Sequence, residues 1–352
     1  MTDPVKKRKL TVAVTGLNAV DSPGPGVAVI RGIRDCKDFD VRIIGLSYES
    51  LEPGIYMEGI ADKVYQIPYP AAGTEALMNR LEYIHAIESM DVIVPNFDAE
   101  LHNFIKLSKR LKEIGIATFL PTTEQFESRD KVNLYEFGQK HGFLVPRDKT
   151  IYDISELPQI AHEFGYPLVV KGKYYEATIA YTLEQAQKAF HKLNAKWGLP
   201  IIVQEFISGT EVNIAALGDG TGATISAIPM RKLFITDKGK AWAGITLEEP
   251  YLLELAEKFI SATQWKGGFE IEIMRTQDGK PYIMEVNPRF PAWIYLTVGA
   301  GQNQPAALVK LALGENVLPY EGYEVGKLFI RYAWDLITDV SEFQKISAFG
   351  EL

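Results

Sequence analysis

The sequence predicts an α/β protein in two parts: a parallel sheet with helices on both faces over residues 1–122, then a two-lobed α+β module over residues 123–352. Three observations predict it. Short apolar runs alternate with helical patterns as far as Leu120-Pro121, the order that yields a covered parallel sheet. Beyond that point the character changes, and from Glu211 onward strands dominate. Finally, Gly267-Gly268-Phe-Glu-Ile-Glu272 and Glu285-Val-Asn287-Pro-Arg289 flank the turn former Asp278-Gly279, which marks a hairpin.

The elements follow in order. Leu10 to Gly16, Val41 to Leu46, Lys63 to Ile67 and Val92 to Pro95 are short buried strands. Gly24 to Arg34 reads as a helix after a Pro/Gly turn, and Thr74 to Ser89 as an amphipathic one. Asp98 to Gly115 carries Leu101, Phe104, Ile105 and Leu111 at helical spacing, with Asp98 as its N-cap. Thr123 to His141 reads as one helix, ended by Gly142 and Val145-Pro146. Asp153-Ile-Ser-Glu156 and Thr182-Leu-Glu-Gln185 match capping boxes that open further helices. Between and after them, Pro167-Leu-Val-Val-Lys171 and Pro200-Ile-Ile-Val-Gln-Glu205 are apolar strands, which places a small lobe near 145–204 against a large lobe near 205–352. Val212 to Leu217 and Ala223 to Met230 are strands, and a helix near Leu252 to Ala262 precedes the hairpin.

Bulk properties narrow the function classes. A net charge of −8 with no long charge run argues against non-specific nucleic-acid binding. No apolar run has the length of a membrane span, and no secretory signal precedes Leu10, so a cytoplasmic protein is expected. The opening Lys6-Lys7-Arg8-Lys9 reads as a solvated leader. Cys36 is the only cysteine, and the five histidines are scattered, so neither a disulfide framework nor a zinc cluster is expected.

Four separated pieces fit one task, the holding of ATP. In the hairpin, Phe269, Ile271 and Ile273 alternate with acids, so one face packs while the other carries charge. Glu272, Glu285 and Asn287 are hard oxygen donors that suit Mg²⁺ shared with nucleotide phosphates, and Arg289 adds a guanidinium able to clamp a phosphate or carboxylate. The second piece is Lys131, in Arg129-Asp-Lys131 at a helix start, and the third is Lys171 at a strand end; both act as point charges toward phosphates. The fourth is the hinge Gln204-Glu205-Phe206-Ile207-Ser-Gly209-Thr-Glu211. There Glu205 accepts from an adenine amino group, Ile207 covers the ring and Glu211 meets ribose hydroxyls. Each piece has a plainer reading: a solvated hairpin face, a solvated strand terminus, an ordinary strand–turn–strand connection.

Taken in this order and spacing, the pieces resemble the ATP-grasp superfamily, in its carbamoyl-phosphate synthase large chain and biotin carboxylase-like branch. Gly299-Ala-Gly301-Gln-Asn303 and Leu311-Ala-Leu-Gly314 add to the likeness, which runs from about Leu10 to about Arg331. The resemblance implies an N-terminal parallel-sheet pre-ATP-grasp domain followed by a two-lobed α+β ATP-grasp module. It implies phosphate contacts at Lys131 and Lys171, an adenine clamp at Glu205 and Ile207, a ribose contact at Glu211, magnesium ligands at Glu272, Glu285 and Asn287, and Arg289 near the transferred phosphoryl group. Arg231 and Lys232 take the place of a basic group facing the phosphates or the acyl intermediate. The implied cofactors are ATP and Mg²⁺, with Mn²⁺ as a substitute. One departure stands out: the loop after Lys171 is Gly172-Lys-Tyr-Tyr-Glu-Ala-Thr178, with one glycine where the family carries a glycine-rich loop.

The implied activity is an ATP-dependent carboxylate–amine ligase that forms an amide through an acyl phosphate and releases ADP. A carboxylase or carbamoyl-phosphate-type enzyme activating bicarbonate is the alternative within the family, and a non-catalytic ATP-binding regulatory protein is the alternative outside it. The partners expected are a small-molecule carboxylate and an amine, with no nucleic acid and no membrane; a homodimer through the first domain is the assembly the resemblance suggests. Gly26, in Asp21-Ser-Pro-Gly24-Pro-Gly26 before a helix, is either an anion site or a plain strand–helix turn. Glu100, at the carboxyl edge of the first sheet, is either a holder for a substrate ammonium or a dipole-favoured residue behind the cap. Phe290, Trp293 and Tyr295 are either acceptor-pocket walls or core.

Overall fold

The computed structural model describes residues 7–19, 23–172, 176–237 and 239–352. Lys6 of the basic opening, Asp21 and Ser22 of the first turn, and Lys173, Tyr174 and Tyr175 of the loop after Lys171 lie outside the described residues. The chain forms two compact units: residues 1–125, 213–270 and 287–352 make one, residues 126–212 and 271–286 the other.

The first unit holds a four-stranded parallel sheet in the order Lys63–Gln66, Phe39–Ser47, Arg8–Val14, Val92–Val94. Its central strand shows why both faces are covered. Val12 and Val14 enter one apolar cluster with Val29, Ile30 and Ile33 of the helix Pro25–Arg34. Ala13 points the other way, into a cluster with Leu77, Leu81, Phe104 and Leu107 from the helices Thr74–Glu88 and Asp98–Glu113. Strands buried on both sides read as continuous apolar runs, which is how the sequence displays them.

The second unit contains a four-stranded antiparallel sheet in the order Asp148–Ile151, Ile201–Glu205, Leu168–Gly172, Ala177–Ala180. Leu168, Val170, Ile201 and Val203 bury one face with the helices Leu157–Phe164 and Leu183–Trp197. The alternate positions, Lys171, Gln204 and Asp148, fall on the opposite face. The box at Asp153 forms as expected: Ser155 N donates to Asp153 Oδ1 at 2.8 Å and Asp153 N to Glu156 Oε1 at 3.3 Å. At Thr182 only half forms, because Gln185 accepts from the amide of Tyr181 instead.

A six-stranded sheet follows the order Pro281–Asn287, Lys266–Arg275, Thr210–Asp219, Thr224–Ile235, Ala241–Thr246, Leu328–Ile330. Two expectations are corrected. The helix expected over 123–141 is two, Thr123–Ser128 and Leu134–His141. Asn133 donates to the carbonyl of Glu127 and heads the second helix; such side chains compete with the helical backbone. The helix after Val94 is capped at Phe97, not Asp98, which becomes its first residue.

Candidate nucleotide site

In the second unit the charges converge. Lys131 precedes the helix Leu134–His141, and its Nζ lies 3.3 Å from Glu285 Oε1. Lys171 lies in the fields of Glu285, Lys131, Asp148 and Glu272; burial dominates and pulls its ammonium down to about 8. Burial likewise pushes the Asp148 carboxyl up to about 6, against the pull of Lys171. The structure thus brings together Lys131, Lys171, Glu272 and Glu285. It adds Asp148, which the sequence did not single out although it faces Gln204 across the strand pair.

The hinge is partly engaged. Glu205 accepts from Arg147 Nε at 2.8 Å and from Arg147 N at 2.9 Å, a two-point hold on its carboxylate. Phe206, Ile207 and Glu211 are half-buried. Gln204 is buried, and its Oε1 has no hydrogen-bond partner among the described residues. A buried acceptor left this way costs about 1–3 kcal/mol unless a ligand donor meets it.

In the first unit, Glu270 is the hub of a buried network. Its Oε1 accepts from Asn213 Nδ2 and Trp293 Nε1, each at 2.7 Å, and its Oε2 from Asn287 Nδ2 at 3.2 Å. Arg289 Nη1 is 3.9 Å from the same carboxylate, while its Nε donates to Asp98 Oδ2 at 2.8 Å. Arg331, half-buried, also lies in the field of Glu270; burial pulls its guanidinium down to about 10, and its Nη1 has no hydrogen-bond partner among the described residues. The paired glycines ahead of Glu270 are steric: a Cβ on Gly268 would sit 2.3 Å from the Phe290 ring, and Gly267 has φ +100°.

Glu270 and Arg331 are residues that sequence reasoning passed over, and Asp98 it read only as a helix cap. Glu270 alternates onto the same strand face as Glu272, which was a signal; Arg331, just past the last strand, gave none. Phe290 and Trp293 belong to the core, and Tyr295 donates to Asp35 at 2.6 Å under a stacked Arg31, so the plainer reading of these aromatics holds. Arg231 is exposed on its strand, and Lys232 Nζ donates to the carbonyl of Gly239 at 3.3 Å.

Gly26 and Glu100 lie elsewhere in the first unit. The amide of Gly26 already donates to the carbonyl of Gly16 at 3.0 Å, and a Cβ there would meet Thr15 O at 2.1 Å, which favours the plain turn. Glu100 is fully buried; it accepts from the hydroxyls of Thr15 and Tyr48 and from the amides of Asn96 and Phe97 at 2.9 and 3.0 Å. Burial pushes its carboxyl up to about 7. This geometry favours a structural role behind the cap over a hold on a substrate ammonium.

No group of three His, Cys, Asp or Glu side chains able to hold a metal occurs among the described residues. Two carboxylates and an amide fall outside that pattern yet suit Mg²⁺, which takes much of its coordination from water and phosphates.

Residues 199–329 match the family model described as ATP-grasp in the biosynthetic pathway with Ter operon. The carbamoyl phosphate synthase large chain of Agathobacter rectalis is 25% identical over 273 residues, 73% of this chain and 24% of that protein. The D-alanine–D-alanine ligase of Cupriavidus metallidurans is 26% identical over 177 residues, 45% of this chain and 53% of that one. The biotin carboxylase domain dimer of Hydrogenobacter thermophilus 2-oxoglutarate carboxylase, solved with MgADP, ADP and bicarbonate, superposes with a TM-score of 0.70 at 19% identity, covering 90% of this chain and 73% of that one. The chain spans about a quarter of the carbamoyl phosphate synthase it matches. No helix among the described residues is long and apolar enough to cross a membrane.

Proposed function

We propose that this chain, whose residues 199–329 match an ATP-grasp family model, is an ATP-dependent ligase joining a carboxylate to an amine with release of ADP. The observation that carries the reading is the Lys131–Glu285 pair beside Lys171, two cations set among metal-ligating carboxylates. In this reading residues 1–122 form the preceding domain and 123–352 the ATP-grasp module, with a small lobe near 145–204 and a large lobe near 205–352.

Lys131 and Lys171 neutralise the phosphates as point charges. Glu205, Phe206 and Ile207 supply the adenine clamp, Glu211 the ribose contact, and the orphaned Gln204 Oε1 an acceptor for a nucleotide N–H. Glu272, Glu285 and Asn287 would hold Mg²⁺, or Mn²⁺ in its place, which when bound would supply charge neutralisation to the phosphates. Arg289 is oriented by Asp98 and grips the developing acyl phosphate. Arg231 and Lys232 are assigned to the acyl intermediate. Gly26 and Glu100 are left outside the site.

The substrate carboxylate attacks the γ-phosphorus in line, the bond to the ADP oxygen breaks, and an acyl phosphate forms. The amine then attacks the acyl carbon, loses a proton and expels phosphate. Catalysis is mainly positioning and electrostatics. The substrates are small molecules, and the cytoplasm is the compartment this reading implies.

ADP release from Mg-ATP tests the proposal. Release that needs both an acid and an amine supports it; AMP formation refutes it. Release with bicarbonate alone would shift the reading to the carboxylase type. Tight ATP binding without release under any pool would leave a regulatory binding protein.

A further inference from the structure

The six-stranded sheet ends in an edge strand, Leu328–Ile330, which pairs on one side with Ala241–Thr246. Edge strands are normally blunted by charge, because an open row of amides and carbonyls invites another strand. This one is not blunted on its even-numbered face. Leu328, Ile330, Tyr332, Trp334 and Leu336 recur every second residue and are all exposed, Tyr332 at 75% and Trp334 at 84%. The rings of Tyr332 and Trp334 are 6.0 Å apart, as expected for side chains on one side of an extended segment. The apolar face continues inward, since Phe234, Ala243 and Ile330 form one cross-strand row and Phe234 is also exposed. Residues 331–339 belong to no helix or strand.

The charges of this segment say what covers it. Lys327 and Arg331 lie before Ala333, and Asp335 and Asp339 after it, at matching intervals. We propose that residues 327–339 pair antiparallel with the same segment of a second copy of this chain, about a two-fold axis at Ala333. In that register Tyr332 faces Trp334 of the second copy, Ile330 faces Leu336, and Leu328 faces Thr338. Lys327, paired at 2.7 Å with Glu324 of its own chain, gains Asp339 of the second copy. Arg331 lies opposite Asp335 along the backbone.

Alternatives lose these matches. A parallel pairing sets like charges opposite each other, which destabilises a sheet. Moving the axis to residue 332 or 334 places both lysine and arginine opposite uncharged residues. Tyr332 and Trp334 each bring roughly 150–250 Å² to such a contact. With the aliphatic positions and both copies counted, the stripe supplies on the order of 1,000 Å², where specific association begins. The surface differs from the first-domain contact the resemblance suggests, and it does not depend on the ligase reading.

Light scattering on the full chain over a concentration series tests the proposal. The expected result is a dimer that Tyr332→Lys with Trp334→Lys converts to monomer, with the far-UV circular dichroism of the folded chain unchanged because both side chains are exposed. Asp339→Lys or Lys327→Asp alone should weaken the dimer about tenfold, and the two together should restore it. In a Cys36→Ser background, Ala333→Cys should give a disulfide-linked dimer on mild oxidation, since facing Cα atoms in such a pair are about 4.5–5.5 Å apart. A chain that is monomeric throughout, or a dimer indifferent to the paired lysines, overturns the surface. A charge swap that fails to restore association overturns the register.

Discussion

Lys171 is charged below about 8 and increasingly neutral above it, because its burial outweighs the carboxylates around it. Nucleotide affinity is therefore expected to fall as pH rises through 8, and Lys171→Met to remove both that dependence and at least about tenfold in affinity; calorimetric titration with ATP checks this. The same group has a folded value below its ordinary 10.5, so the native state binds fewer protons between the two and stability from it rises over that window. Glu100 has the opposite sign. Its folded value of about 7 exceeds the ordinary 4.5, so its stabilising effect is full below 4.5 and is lost as pH rises through 7. Glu100→Gln should flatten that loss, worth about 2–3 kcal/mol, in denaturant melts run from pH 5 to 8. At the proposed metal ligands, Glu285→Gln should lower ADP release by about 10²–10³ while leaving the melt near that of the parent, since that side chain is a third exposed.

The hairpin from Lys266 to Asn287 is the element on which site and core depend together. Gly268→Ala would drive a methyl into the Phe290 ring, and overpacking of that kind costs about 1–3 kcal/mol; a lowered midpoint in urea checks it, and activity should fall with it as Glu270 shifts. This hairpin was legible in the sequence because its apolar residues alternate and Asp278-Gly279 marks the turn. The first sheet was legible for a different reason: its strands, buried on both faces, read as unbroken apolar runs between helical patterns. Among the elements that escaped are strands too short to show a period, Asp148–Ile151, Ala177–Ala180 and Leu328–Ile330, and also the strand Ala241–Thr246 and the helices Gln304–Ala312 and Val340–Phe349. The break at 129–133 escaped because Asn133 acts through a hydrogen bond that no apolar pattern records. Glu270 was visible as an acid in alternation, but its partners Asn213 and Trp293 come from distant segments, and only the fold names them.

At the scale of the molecule, each unit carries a part of the proposed machinery. The lysine and carboxylate cluster belongs to residues 126–212 and 271–286, and the Glu270 network with Arg289 and Arg331 to the remainder. The Lys131–Glu285 ion pair has a consequence for how ligands assemble. A lysine suited to phosphate is paired with a carboxylate suited to metal, so a ligand that engages either one competes with the ion pair. Metal and nucleotide affinities are then thermodynamically linked, and the factor by which one improves the other must be the same in both directions. Free Mg²⁺ should bind weakly alone, Lys131→Met should tighten that binding, and the same change should shrink the cooperativity between the ion and ATP. On the proposed reading, a chain built this way is an AND gate for metal and nucleotide before any chemistry begins.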